Sequence, residues 1–454
     1  MSKGKILLLA SFIGSGHKKA AEAVELALKE KSGSIDVKLV NFFEFASPGV
    51  SKAISNLYFK LLHSNPRTWG YLYDPREGKA RVAELMGIRG LWEGARMKRS
   101  FEIGFDKEVE KDLSEALSDV STGAMGMREL LEFLGAKPEI AEKIYDEKND
   151  RFLFPYSLIG RKIRLLRKLG SFLYTRMKQL LLEYDPGAVV CTQVLPCMFV
   201  DRIKAREGLK VPLIAVLTDF GLHSYWCKPN VDAFVVPCPE VAEMLSAKGV
   251  VKEHTHDFGI PIDRKFISRK NKLEMREKLG FNPQLFTVLI MGGGTGFLVD
   301  LSAAVRMWEK EGLPFQLAVI AGENEELKIR LEDLRLKMKI PVFIYSFINN
   351  VEELMAASDI IITKPGGLSI TESMISYLPM VLVKVIQGQE ENNLRYLLKK
   401  RAAVVAGTGR KIGRIVRDLY KSPEELSGLW RRARGLVNAD SASKIADLIL
   451  SYLG

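Results

Sequence analysis

Residues 359–385 read DIIITKPGGLSITESMISYLPMVLVKV. A β-rich apolar run ends in Lys364-Pro365-Gly366-Gly367-Leu368, a segment with helical spacing follows, and a second β-rich run begins at MVLVKV. Strand, glycine turn, helix and strand in that order make the repeating unit of a parallel sheet with crossover helices. The same rhythm extends in both directions. FTVLIMGGG (286–294), QLAVIAGE (316–323) and VFIYSF (342–347) precede this unit, and AAVVAG (402–407) follows it. Before GIPIDRKF (259–266) lies another series: KILLLA (5–10), DVKLVNF (36–42), GAVVCT (187–192), VPLIAVLT (211–218) and DAFVVP (232–237). The expectation is an α/β protein with two doubly wound domains, 1–262 and 270–435. ASKIADLILSYLG, within 436–454, forms a last amphipathic helix able to pack back across the first domain. Between about 75 and 170 the strand rhythm stops, and acidic amphipathic segments such as EVEKDLSEALSDV suggest a helical insertion.

A chain of 454 residues with 47% apolar and 9% aromatic content is long enough for two full cores and is neither disordered nor fibrous. Cys191, Cys197, Cys227 and Cys238 form neither a CxxC pair nor a zinc spacing, which points to reduced thiols in a cytoplasmic protein. No run reaches the roughly 20 apolar residues of a membrane span, and the start does not resemble a signal peptide. The net charge of +12 is compatible with nucleic acid, an anionic membrane or a polyanionic substrate. Its distribution is more informative: residues 151–182 carry eight Lys/Arg and no acid, whereas 106–150 carry thirteen acids against six bases.

Three glycine loops stand where strands end and helices begin: Gly14-Ser15-Gly16-His17, Gly292-Gly293-Gly294-Thr295-Gly296, and the Lys364–Leu368 turn. Glycine lets a phosphate approach bare backbone N–H groups, and a helix N-terminus adds partial positive charge. Each loop alone reads equally as a plain turn, since none is a full GxGxxG or GxxxxGK[ST]. Their recurrence in both domains points to one phosphorylated ligand between them. His17 opens the first helix, where the dipole favours a neutral ring able to accept a proton; a capping histidine is the plainer reading. Glu372, one turn after Leu368, suits the two hydroxyls of a ribose, or simply complements its helix dipole. Gly388-Gln389-Glu390-Glu391-Asn392-Asn393 offers amides and carboxylates to a sugar, or a helix cap. Thr218-Asp219-Phe220-Gly221-Leu222-His223-Ser224-Tyr225-Trp226 places an acid, a histidine and aromatics after another strand; the aromatics read equally as core. Asp-x-Asp, HExxH and EF-hand patterns are missing, so a metal-independent site is expected.

IGSGHKKAA, NPRTWGYLYD, TDFGLHSYW, VDAFVVP, FGIPIDRKF, VLIMGGGTG and above all DIIITKPGGLSITESMISYLPMVLVKVIQGQEENN resemble the monogalactosyldiacylglycerol synthase and processive diacylglycerol glucosyltransferase group of glycosyltransferase family 28. The resemblance covers roughly 1–74 and 175–435. It implies a GT-B fold, two Rossmann-like domains facing a cleft, with the acceptor on the first and a UDP-sugar on the second. By position it implies Gly292, Gly293, Gly294 and Thr295 with Gly366, Gly367, Leu368 and Ser369 at the diphosphate, Phe347 at the uracil, Glu372 at the ribose, and Gln389, Glu390 and Asn392 around the hexose. His17 is implied near the acceptor hydroxyl, with Asp219 close by; Gly14, Gly16, His223 and Trp226 fall on the acceptor side. The implied chemistry is a single inverting displacement from UDP-glucose or UDP-galactose, without a metal or other cofactor, to diacylglycerol or a related lipid at the cytoplasmic leaflet. Arg161, Arg164, Arg167 and Lys168, with Trp69 and Trp92, would face an anionic membrane. The chain departs from the family pattern at Gln193, where relatives usually carry histidine, and in the 75–170 segment. Alternatives are N-acetylglucosamine transfer to a polyprenyl-linked acceptor, UDP-sugar epimerisation, and a non-catalytic membrane-binding protein. No nucleic-acid-binding signature occurs, and the oligomeric state is not encoded in any motif.

Overall fold

The computed structural model describes residues 4–11, 15–45, 145–146, 151–152, 158–222, 224–292, 301–383 and 389–453. The first domain contains β1 (Lys5–Ala10), α1 (Ser15–Lys31), β2 (Asp36–Asn41), a two-residue antiparallel pair β3 (Tyr145–Asp146) and β4 (Arg151–Phe152), and α2 (Leu158–Tyr184). It continues through β5 (Ala188–Cys191), α3 (Val194–Glu207), β6 (Leu213–Val216), β7 (Ala233–Val235), α4 (Pro239–Ser246) and β8 (Thr255–His256). The second contains α5 (Lys272–Lys278), β9 (Phe286–Met291), α6 (Ser302–Lys310), β10 (Phe315–Ile320), α7 (Glu325–Arg335), β11 (Val342–Tyr345), α8 (Val351–Ala357) and β12 (Ile360–Thr363). After these come α9 (Gly367–Ile375), β13 (Met380–Leu382), α10 (Gln389–Lys399), β14 (Val404–Val405), α11 (Gly409–Lys421), α12 (Pro423–Arg434) and finally α13 (Ser441–Ser451).

Two six-stranded parallel sheets result, ordered β2-β1-β5-β6-β7-β8 and β11-β10-β9-β12-β13-β14. The second is the 3-2-1-4-5-6 order of a dinucleotide-binding sheet, and in both the order reverses beside the first strand. The strands are continuous apolar runs because helices cover both faces: Ile6 through Ala10 and every residue of β10 are buried. Gln316, inside β10, is tolerated there because its amide donates to Thr287 Oγ1 and Asn282 O at 2.8 Å each. Arg276, also buried, is satisfied by Ala357 O, Pro283 O and Asp359.

The chain returns to the first domain at its end. Ile445, Ala446 and Ile449 of α13 enter the core made by Ile6, Leu8, Val24 and Leu28, and Lys31 pairs with Asp447 at 2.8 Å. Ser441 Oγ donates to Gly259 O at 2.8 Å, and Gly259 holds φ +90, a conformation glycine adopts without strain. The four cysteines are free thiols, with Cys191, Cys197 and Cys238 buried. No helix among the described residues is long and apolar enough to cross a membrane.

Candidate functional site

The strand-order reversal of the first sheet lies between β1 and β5, where a crevice opens at the carboxyl ends of the strands. His17 stands there, in the first turn of α1. Its Nδ1 is 2.8 Å from the carbonyl oxygen of Thr192, the residue after β5, and Thr192 Oγ1 donates back to His17 O at 2.9 Å. Thr218 Oγ1, two residues beyond β6, lies 3.0 Å from the same nitrogen. A carbonyl can only accept, so Nδ1 carries the ring proton and Nε2 keeps its lone pair. Burial lowers the pKa of His17; the negative charge of Asp219 and the Thr192 bond oppose that shift without cancelling it. The ring is therefore a neutral base near pH 7, already held in the tautomer that leaves Nε2 able to take a proton.

The matching crevice of the second sheet lies between β9 and β12. Gly366 N donates to Lys364 O at 2.9 Å, folding the turn, and the first helical bond of α9 runs from Ile370 N to Gly366 O at 3.0 Å. The N–H groups of Gly367, Leu368 and Ser369 precede that bond and have no acceptor within the helix, an arrangement suited to an anion. Leu368 contributes only its backbone, because its side chain is buried in the core. Glu372 is partly buried one turn along; burial raises its carboxyl to about 8 against the pull of Lys265 and Lys19, with Asp263 and Glu352 adding to the rise. Phe347, past the end of β11, is 48% exposed, so its ring is free to stack on a planar ligand.

The two crevices face each other through α10. Glu390, buried in its first turn, receives Lys364 Nζ at 3.2 Å. Asn393 Nδ2 donates to Asp219 Oδ1 at 2.9 Å and to Pro365 O at 3.0 Å, while its Oδ1 accepts from Phe220 N at 2.7 Å. Phe220 stacks on Tyr396 with ring centroids 4.6 Å apart, and Lys400 pairs with Glu240 at 2.5 Å. Gly221 is required at this contact, since a β-carbon there would fall 2.5 Å from Asn392 Cβ.

Similarities to known proteins fall on both domains. The monogalactosyldiacylglycerol (MGDG) synthase family matches residues 107–262, and the glycosyltransferase family 28 C-terminal domain matches 287–447. A processive diacylglycerol beta-glucosyltransferase of Bacillus cytotoxicus is 30% identical over 312 residues, 68% of this chain and 75% of the relative. The chain belongs to glycosyltransferase family 28, in the group of MGDG synthases and processive diacylglycerol glucosyltransferases. It is thus a sugar-transferring enzyme. The protein of the same name from Bacillus licheniformis is 29% identical over 286 residues, 63% of this chain and 73% of that one. Acinetobacter baumannii MurG is similar in structure with TM-score 0.53 and 13% identity, covering 98% of this chain and 99% of its own. UDP-GlcNAc 2-epimerase from Neisseria meningitidis, solved with UDP-GlcNAc, gives TM-score 0.54, 13% identity and coverage of 98% and 100%. At such identities these two show the GT-B fold alone. The MGDG synthase match begins at 107, within the segment set apart as an insertion.

Among the expected residues of this family 28 enzyme, His17, Asp219, Gly366, Gly367 and Asn392 gather at the contact between the carboxyl edges of the two sheets. Trp226 does not join them. Expected on the acceptor side, it is buried in the first domain's core, where an aromatic after a strand gains more from packing than from exposure. Asn392 is turned toward Gly221 of the first domain. Gln193, standing in place of the usual histidine, caps α3 by accepting from Leu195 N at 2.9 Å. Gly16 lies in the first turn of α1, and Gly292 directly follows β9. Gly14, Trp69, Trp92, His223, Gly293, Gly294 and Thr295 lie outside the described residues, as do the side chains of Gln389, Arg161, Arg164, Arg167 and Lys168. Sequence reasoning missed Thr192, which fixes the histidine tautomer, and Asn393, which holds Asp219. Asn393 had a usable signal, its place in the GQEENN run.

Proposed function

We propose that this protein is an inverting, metal-independent hexosyltransferase that moves glucose or galactose from its UDP-sugar to diacylglycerol or a related membrane lipid at the cytoplasmic leaflet. The observation that carries the reading is the His17 ring, fixed through Nδ1 on Thr192 O beside Asp219, with Nε2 left as acceptor where the two domains meet. In this reading Nε2 takes the proton of the acceptor hydroxyl as its oxygen attacks the anomeric carbon. The bond from that carbon to the diphosphate oxygen breaks, and the leaving UDP is stabilised by the N–H groups that open α9 and by the loop at Gly292–Thr295. Asp219 favours the imidazolium that forms. Glu372 would bind the ribose hydroxyls, Phe347 the uracil, and Gln389, Glu390 and Asn392 the hexose. The names of the Bacillus relatives support the acceptor class.

The membrane part of the reading rests on α2. This helix has 27 residues, about 40 Å of length. Its C-terminal half is anchored in the first core by Leu173, Tyr174, Met177 and Leu181, while its N-terminal half carries Arg161, Arg164, Arg167 and Lys168 in sequence. Basic and apolar residues interleaved at helical spacing suit an anionic lipid surface.

The test is lipid mass spectrometry of a host expressing the chain, with purified protein given UDP-glucose or UDP-galactose and diacylglycerol vesicles. A hexosyl lipid that disappears with His17→Ala supports the proposal. UDP release without lipid, with the sugar returned as an epimer, overturns it. Sedimentation with vesicles that depends on anionic lipid and is lost on reversing the four basic charges supports the membrane reading; charge-independent binding overturns it.

A further inference from the structure

Asn393 is fully buried and every strong hydrogen-bonding direction of its amide that is described leads to a functional loop. Two of its partners, Asp219 and Phe220, belong to the first domain; the third, Pro365, belongs to the glycine turn of the second. Asn393 itself sits one turn into α10, the helix whose first residues are placed at the donor's hexose. One side chain thus joins the sugar-reading helix, the phosphate-binding turn and the carboxylate that acts on His17.

We propose that Asn393 is a positioning residue that couples closure of the two domains to the His17–Asp219 pair, an inference that rests on His17 being the base. With the domains together, Asn393 Nδ2 holds Asp219 Oδ1 in place and the Phe220 N–H is satisfied. With the domains apart, both bonds are lost together and Asp219 loses the hydrogen bond that ties it to α10. The Asn393 bond to the carboxylate beside the base is then made only when α10 has come down on the first domain. Asparagine meets this requirement and its near relatives do not. Aspartate would place a second negative charge on Asp219, and leucine would remove the acceptor of the buried Phe220 N–H and one donor to Asp219. Two further contacts of the interface, Phe220 on Tyr396 and Lys400 with Glu240, carry closure without touching Asp219.

The experiment is a double-mutant cycle on kcat and UDP-sugar KM with full-length protein. Asn393→Ala should lower kcat about 10-fold with KM changed less than about 3-fold, and should cost less than about 2-fold more when added to Asp219→Ala. A full 10-fold loss in the Asp219→Ala background overturns the inference while leaving the base reading intact. Wild-type kcat in Asp219→Ala overturns the role of the pair itself, and the inference with it. Tyr396→Leu, which loosens the same interface away from Asp219, should combine multiplicatively with Asp219→Ala; if it does not, the coupling belongs to the interface at large and the assignment to Asn393 fails. Should the alanine variant not fold, Asn393→Ser keeps a hydroxyl in the buried site and gives the same cycle.

Discussion

The carbonyl oxygen of Thr218, in the first domain, lies so close to Gly367, at the start of α9 in the second, that a β-carbon at 367 would stand 1.9 Å from it. Backbone meets backbone at the point where the two crevices join, and only glycine allows it. Gly367→Ala should therefore hold the domains apart. We expect kcat/KM to fall by about 100-fold, with an overpacking cost on the order of 1–3 kcal/mol in the closed form. Small-angle scattering should show a larger radius of gyration; wild-type dimensions with wild-type activity would refute the contact's importance.

His17→Ala should lower kcat by roughly 10²–10⁴-fold, the range for loss of a general base, while UDP binding persists because the second domain is untouched. The pH profile follows from the sign of the shift. Burial lowers the pKa of His17 from its ordinary 6.5, so the neutral ring survives as pH falls and the acid limb of kcat/KM lies below 6.5. Asp219 raises that pKa, so Asp219→Ala should move the limb to still lower pH. A limb moving upward would contradict the charge relationship.

Glu372 should release a proton when UDP binds. Burial raises its carboxyl to about 8, so it is protonated at pH 7 in the closed protein, and ribose hydroxyls donating to it favour the ionised form. Calorimetry in two buffers of different ionisation enthalpy should detect the proton, and Glu372→Gln should abolish it. The same shift acts on stability. A folded-state pKa above the unfolded value of 4.5 contributes stability that is complete below 4.5 and is lost as pH rises through about 8. Within that window the slope is at most about 1.4 kcal/mol per pH unit, and Glu372→Gln should flatten it. Equal pH dependence in the variant would remove Glu372 from the account.

The return of α13 to the first domain makes the chain's last helix part of the first core. Ile445→Ala should destabilise by about 2–5 kcal/mol in urea unfolding, because the residue is fully buried against Ile6 and Val24. Asp447→Ala, which removes an exposed partner of Lys31, should cost no more than about 1 kcal/mol. Equal effects of the two would show that packing is not what secures the helix.

Much of this architecture is written locally. Apolar runs such as KILLLA and FTVLIM, short, rich in β-formers and each followed by a glycine turn and helical spacing, repeat often enough along the chain for both parallel sheets to be readable from the sequence. The position of Glu372 relative to the glycine turn is legible for the same reason, since it is set by one turn of one helix. The histidine's chemistry is not local. His17 and Thr192 are 175 positions apart, and only the order of the strands, which places β5 beside β1, brings the carbonyl that chooses the tautomer. Trp226 shows the converse: an aromatic residue after a strand looks the same in sequence whether it lies in a core or on a surface, and packing put it inside. The choice between Asn392 and Asn393 turns on the same limit. Adjacent helical positions differ by about 100° around the axis. Which of two identical side chains reaches Asp219 is decided by the seating of α10 between the domains, and that seating is a sum of contacts from both of them.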